Sequence, residues 1–127
     1  VLLADDDASI LKAITRLLAP ACDLVGSAAD GAALFGEIAR TRPQVVLLDF
    51  SLPGGISALE LCRRIRQATP GVEVVAFTAN DDPLLERLAR EAGAAAFVWK
   101  PKASTDLLPA ILAAIAGMPP PDGTPDG

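Results

Sequence analysis

Five short apolar runs punctuate the chain: VLLA (1–4), CDLVGSA (22–28), QVVLLD (44–49), VEVVAFT (72–78) and AAAFVWK (94–100). Each is bounded by Gly, Pro, Asp or Asn and most are rich in Val or Leu, which predicts strands. The segments between them carry apolar residues at helix spacing. Ile10, Leu11, Ile14, Leu17 and Leu18 form the first such stripe, ended by Pro20. A second helix is predicted from Asp30 through Leu34, Phe35 and Ile38. A third starts at Ser57, with Glu60 three residues on as a capping box, and carries Leu61, Cys62 and Ile65. A fourth has Asp82 as cap and Pro83 at its first position, then Leu84, Leu85 and Leu88, and stops at Gly93. A fifth is expected over roughly 105–117, starting late or kinked, because Pro109 inside a helix removes a donor and costs up to ~3 kcal/mol.

Strand and helix thus alternate five times, which predicts an α/β domain with a doubly wound parallel sheet covered by helices on both faces. The unbroken apolar stretches at 45–48 and 74–77 suit strands buried on both sides. In open parallel sheets the site lies outside the C-terminal strand ends. Those ends carry Asp5 and Asp6, then Asp49, Thr78 and Lys100, whereas the second run offers only Ser27 and Ala28. Residues 1–117 are expected to form one domain. The remainder, MPPPDGTPDG (118–127), has no apolar periodicity and reads as a linker or tail.

Composition narrows the function classes. With 127 residues, 51% of them hydrophobic, the chain fits one folded domain and not a disordered one. The longest nearly apolar stretch, LLPAILAAIAG, is too short to span a bilayer, so no membrane role is expected. There is no histidine, which excludes a His-based triad or His metal site. A net charge of −5 disfavours a nucleic-acid surface and leaves proteins or small ions as partners. Cys22 and Cys62 have neither metal nor redox spacing, in keeping with a reducing cytoplasm. No signal-peptide pattern opens the chain, and because it starts with Val a few residues are expected to precede it.

The stretch VLLADDDAS ends an apolar strand with three consecutive carboxylates. Asp7 is accounted for as a helix cap. Asp5 and Asp6 are not, since like charges about 4 Å apart repel by ~4 kcal/mol at an effective dielectric near 20. A hard divalent cation, Mg2+ or Mn2+, would neutralise them, with Asp49 from the neighbouring strand end as a third oxygen ligand. Lys100 supplies a point charge suited to a carboxylate or phosphoryl oxygen, and the Thr78 hydroxyl can donate to the same atom. This set makes sense if Asp49 is a nucleophile that accepts a phosphoryl group. Asp49 ends the most apolar strand and leads into the small-residue loop SLPGGIS, which leaves room for such a group. A dinucleotide site is excluded, because ADDDAS has no glycine fingerprint and would repel a pyrophosphate.

Four motifs, each closing a different predicted strand, make the chain resemble the receiver domain of two-component response regulators over about residues 1–117. They are the acidic pair in VLLADDD, the acceptor in VVLLDFSLP, the small hydroxyl in VVAFTA and the Lys-Pro of FVWKPK. The resemblance implies a flavodoxin-like (βα)5 fold with strand order 2-1-3-4-5. It also implies Asp49 as the phosphorylated residue, with Asp5, Asp6, Asp49 and the Ser51 backbone carbonyl around Mg2+. Lys100 would pair with Asp49 before phosphorylation and with the phosphoryl group after it. Thr78 and Phe97 would be the switch pair, and Ser51 and Asn80 would tune dephosphorylation. A histidine kinase, a phosphotransfer protein or a small donor would supply the phosphoryl group, and an effector or attached output domain would read the surface of helix 4, strand 5 and helix 5. The chain is not expected to be a turnover enzyme.

Three features depart from the family pattern. The loop after Pro53 is one residue longer than usual, Ser57 or Ala58 stands where glycine is common, and Trp99, expected to serve packing, precedes Lys100 where aliphatics are more frequent. Two rivals stand beside this reading. A phosphatase of the haloacid dehalogenase type needs a second Asp two residues after the nucleophile, and Ser51 occupies that position. A receiver-like interaction module that is never phosphorylated is opposed by the complete acidic set.

Overall fold

The periodicities are realised as β1 (Leu2–Ala4), α1 (Ala8–Leu18), β2 (Gly26–Ala28), α2 (Gly31–Thr41), β3 (Val45–Asp49), α3 (Ala58–Ala68), β4 (Glu73–Thr78), α4 (Pro83–Glu91), β5 (Ala96–Trp99) and α5 (Ala103–Ile115). These come from a computed structural model that describes residues 1–52 and 55–117. Pro53 and Gly54, where the loop expected to be longer than usual begins, and the tail 118–127 lie outside the described residues. All strand pairs are parallel, in the order β2-β1-β3-β4-β5, as expected.

Strand alternation divides the core in two. Leu2, Ala4, Val46, Leu48, Val74 and Ala76 face α2, α3 and α4, where they meet Leu34, Ile38, Leu61, Cys62, Ile65 and Ala89. Leu3, Val45, Leu47, Val75, Phe77 and Val98 face the other way, onto Ile14 and Leu18 of α1 and Leu107 and Ile111 of α5. Every residue of β3 is buried, which is why its run shows no polar alternation. Each fully buried Leu, Ile or Val contributes about 1.5–3 kcal/mol of burial energy.

The caps lie where the chain marks them. Asp7 accepts from the Ser9 and Ile10 amides, Asp30 from Ala33, Ser57 from Glu60 and Asp82 from Leu84, with Pro83 in the first turn of α4. Glu60 does not return the bond to complete a capping box; it pairs instead with Arg63 and Arg64 one turn on. Some boundaries also differ from expectation. β2 begins at Gly26, not at residue 22, because the Cys22 amide still donates to the Leu18 carbonyl at the end of α1. β5 ends at Trp99, and Lys100 opens a 3-10 turn over Lys100–Lys102. α5 starts at Ala103, so Pro109 does not delay it. Thr105 and Pro109 are both exposed, where water can satisfy the Thr105 carbonyl that the proline leaves without a donor.

Candidate functional site

Register decides which strand ends meet. Ala4 is level with Leu48, Asp49 with Phe77, and Thr78 with Trp99. Alternation carried one residue past the strands therefore gathers Asp5, Asp49, Phe77 and Lys100 on the side of α1 and α5. Thr78, Phe97 and Trp99 fall on the side of α3 and α4.

The first group forms a charged cluster. Asp5 and Asp49 are buried, with 4% and 2% of their surface exposed, while Asp6 is open to solvent. One oxygen from each of Asp5, Asp6 and Asp49 lies within 4.8 Å of the others. The Lys100 Nζ sits 3.1 Å from Asp49 Oδ1 and 3.3 Å from Asp5 Oδ2. It also lies 5.3 Å from the centre of the Phe77 ring, so an aromatic face closes its inner side. Burial alone would lower the Lys100 pKa, but the hydrogen bond it donates to Asp49 and the charges of Asp49 and Asp5 outweigh it and hold the pKa above its ordinary value. The ammonium is therefore fully charged at neutral pH.

Backbone amides fix the two buried carboxylates. The Asp7 N–H donates to Asp5 Oδ1 at 2.9 Å, and the Ser51 N–H to Asp49 Oδ1 at 2.9 Å. Three carboxylates facing one ammonium leave excess negative charge, and the donors are all hard oxygens. That combination fits Mg2+ or Mn2+.

Comparison with known proteins shows the family. The sequence profile of the response regulator receiver domain matches residues 1–112. The chain belongs to that family. Among curated relatives, the response regulator GacA of Pseudomonas viridiflava is 35% identical over 120 residues, which is 92% of this chain and 55% of the relative. The chain thus spans about half the length of the curated relatives it matches. Among solved structures, the isolated receiver domain of RcsB from Salmonella enterica serovar Typhimurium, determined with the phosphomimetic BeF3−, superposes with a TM-score of 0.86 at 26% identity, covering 98% of this chain and 91% of that one. The receiver domain of the response regulator NarL from Mycobacterium tuberculosis gives 0.82 at 29% identity, covering 91% and 94%.

This receiver domain of the two-component response regulator family has the acidic pocket at which such domains bind Mg2+. Its Thr78 is 2% exposed and accepts a hydrogen bond from the Asn80 amide at 3.0 Å. Phe97 is half-buried against the core on the α3 and α4 side, and Asn80 is exposed. Neither joins the charged cluster.

Two features of the receiver site escaped the reading of the sequence. Phe77 was legible only as strand core, although its place one residue before the Thr78 strand end puts it level with Asp49. Trp99 does more than pack, since its Nε1 donates to the Ala79 carbonyl at 3.1 Å. The signal was there in part: a tryptophan two residues after Phe97 must share its face. Among the described residues no helix is long and apolar enough to cross a membrane.

Proposed function

We propose that Asp49 is the phosphoacceptor of this receiver domain and that its phosphorylation is Mg2+-dependent. The observation that carries this reading is the meeting of Asp5, Asp6, Asp49 and Lys100 from three separate strand ends in one cluster. Asp5, Asp6, Asp49 and the Ser51 backbone carbonyl would hold the ion, which neutralises charge on the transferring oxygens. An Asp49 oxygen attacks the phosphorus of a phosphohistidine or of acetyl phosphate. The bond from phosphorus to the donor breaks and its electron pair leaves with the donor. Lys100, already on Asp49 Oδ1, is placed to follow the developing charge onto the phosphoryl oxygens. Water attacking the same phosphorus later returns the free carboxylate and inorganic phosphate. Ser51 and Asn80, two residues beyond Asp49 and Thr78, would tune that step, and neither carries a charge that would orient the water strongly.

The phosphoryl group adds about −1.5 to −2 charges. Thr78 turns toward it, Phe97 repacks, and the surface of α4, β5 and α5 changes its preferred state. A histidine kinase or phosphotransfer protein donates the group in the cytoplasm. Residues 1–117 act as the receiver, and 118–127 as a tail or as a linker to an output domain.

The test is intact mass after incubation with acetyl phosphate and Mg2+, beside Asp49→Asn and a chelated control. One phosphoryl adduct that needs both Asp49 and the metal is the expected result. No adduct, with beryllofluoride also failing to bind, would overturn the reading in favour of a phosphorylation-independent interaction module.

A further inference from the structure

Thr78 and Trp99 are cross-strand partners at the last rung between β4 and β5, and strand alternation puts Trp99 on the same face as Phe97. Trp99 is half-buried and reaches over the strand end, so that its indole N–H meets the carbonyl of Ala79, the first residue after β4. The β4–α4 connection is short, running from Ala79 to the Asp82 cap. Two bonds define its first turn: the Asn80 amide on the Thr78 hydroxyl, and the indole on Ala79. Asp49 lies on the opposite flank of β4 from Trp99, since β4 separates β3 from β5. The Ala79 carbonyl and the Asn80 amide are the two ends of one peptide group, so a hydroxyl that turns toward Asp49 releases the amide end of a peptide whose carbonyl end the indole still holds.

We propose that Trp99 is a positioning residue that latches the β4–α4 turn in the resting state and so opposes phosphorylation-driven switching. The proposal rests on the assignment of Asp49 and Thr78 given above. The indole contributes nothing to the phosphoryl group itself. It acts by holding Thr78 where its hydroxyl faces Asn80, and it sets how far the resting population outweighs the switched one. A single net hydrogen bond near solvent is expected to shift that ratio by about 2- to 5-fold. Because Trp99 is next to Lys100 in sequence, the latch also ties the turn to the strand that delivers the site's ammonium.

Two replacements separate the bond from the bulk of the ring: Trp99→Phe, and incorporation of β-(3-benzothienyl)alanine at position 99, which keeps the ring shape but has no N–H. Two readouts are made on each. The first is amide exchange of Asn80 in the ligand-free protein, expected to speed up about 2- to 5-fold in both variants with the denaturation midpoint near that of wild type. The second is affinity for beryllofluoride with Mg2+, expected to tighten by the same factor. Unchanged Asn80 exchange in the benzothienyl protein overturns the latch, whatever beryllofluoride does. A shift in Trp99→Phe alone overturns it too, since only packing was then lost. Faster exchange in both variants, with wild type binding no beryllofluoride, leaves a latched turn but removes the phosphoacceptor reading instead.

Discussion

The α1/α5 side of the strand ends and the α3/α4 side are held by bonds of different kinds. On the first side, Lys100 reaches two carboxylates on other strands, one of them 95 residues away in sequence, and both acids are nearly sealed from water. On the second side the Thr78 hydroxyl takes a hydrogen bond from an amide only two residues on, and Trp99 holds one backbone carbonyl near solvent. Breaking the first arrangement would leave buried charges unpaired, which costs several kcal/mol. Exchanging the second gives up two hydrogen bonds, each worth ~1 kcal/mol. On the proposed reading, the first flank would keep its geometry through phosphoryl transfer and the second would give way afterwards.

The comparison is broken most severely by Lys100→Met. Phosphoryl uptake from acetyl phosphate should fall about 10²- to 10³-fold, as expected when a positioned charge is removed from a transferring group. A mass time course measures it, and a rate within a factor of a few of wild type would show that the charged flank is not where the chemistry depends on geometry. A smaller effect is expected from metal binding. Mg2+ at a hundredfold excess over its Kd should stabilise the fold by about 2.7 kcal/mol. Asp6→Asn should raise the melting temperature of the metal-free protein, by relieving repulsion, and flatten its rise with Mg2+. A variant that lowers the metal-free value would contradict the picture of three crowded carboxylates.

The smallest effect is on pH. Burial pushes the Cys62 thiol, on the α3 side, up to about 11 from an ordinary 9.0. The unfolded chain therefore ionises first, and stability should decline as pH rises from about 9 toward 11. The Lys100 pKa is also raised, so its contribution is fully present below the ordinary 10.5 and is lost as pH rises through the folded value. Denaturant midpoints across that range, for wild type and Cys62→Ala, should show a shallower decline in the variant. Equal slopes would mean that Cys62 ionises as it does in water. Thiol labelling below pH 9 should accordingly modify half-exposed Cys22 before buried Cys62.

The charged flank was more legible in the sequence than its counterpart, and the reason is physical. Asp5, Asp6, Asp49 and Lys100 are polar residues at the ends of apolar runs, so composition alone marks them, and a parallel sheet brings strand ends together by construction. The sheet order itself followed from the resemblance to receivers. Phe77 and Trp99 carry no such mark, because an aromatic in a strand is ordinary core until the register is known. Boundaries failed where two uses of the same residue compete. Cys22 looks like the start of a strand but its amide still belongs to α1, and Pro109 looks like a helix breaker but stands on the solvent side of α5. Glu60 has the spacing of a capping box, yet two arginines one turn away outbid the Ser57 amide for it.

The 95-residue span between Asp5 and Lys100 has a consequence for how the molecule comes into being. β1 is synthesised first and lies inside the sheet, between β2 and β3, while the lysine arrives with the last strand at the edge. A chain emerging from the ribosome therefore presents bare carboxylates long before it presents the ammonium that completes the cluster. Contacts of such separation close late in folding, once the shorter loops have already formed. The ability to receive a signal would thus switch on only with the final strand, and an unfinished or misfolded copy would stay silent in the cell.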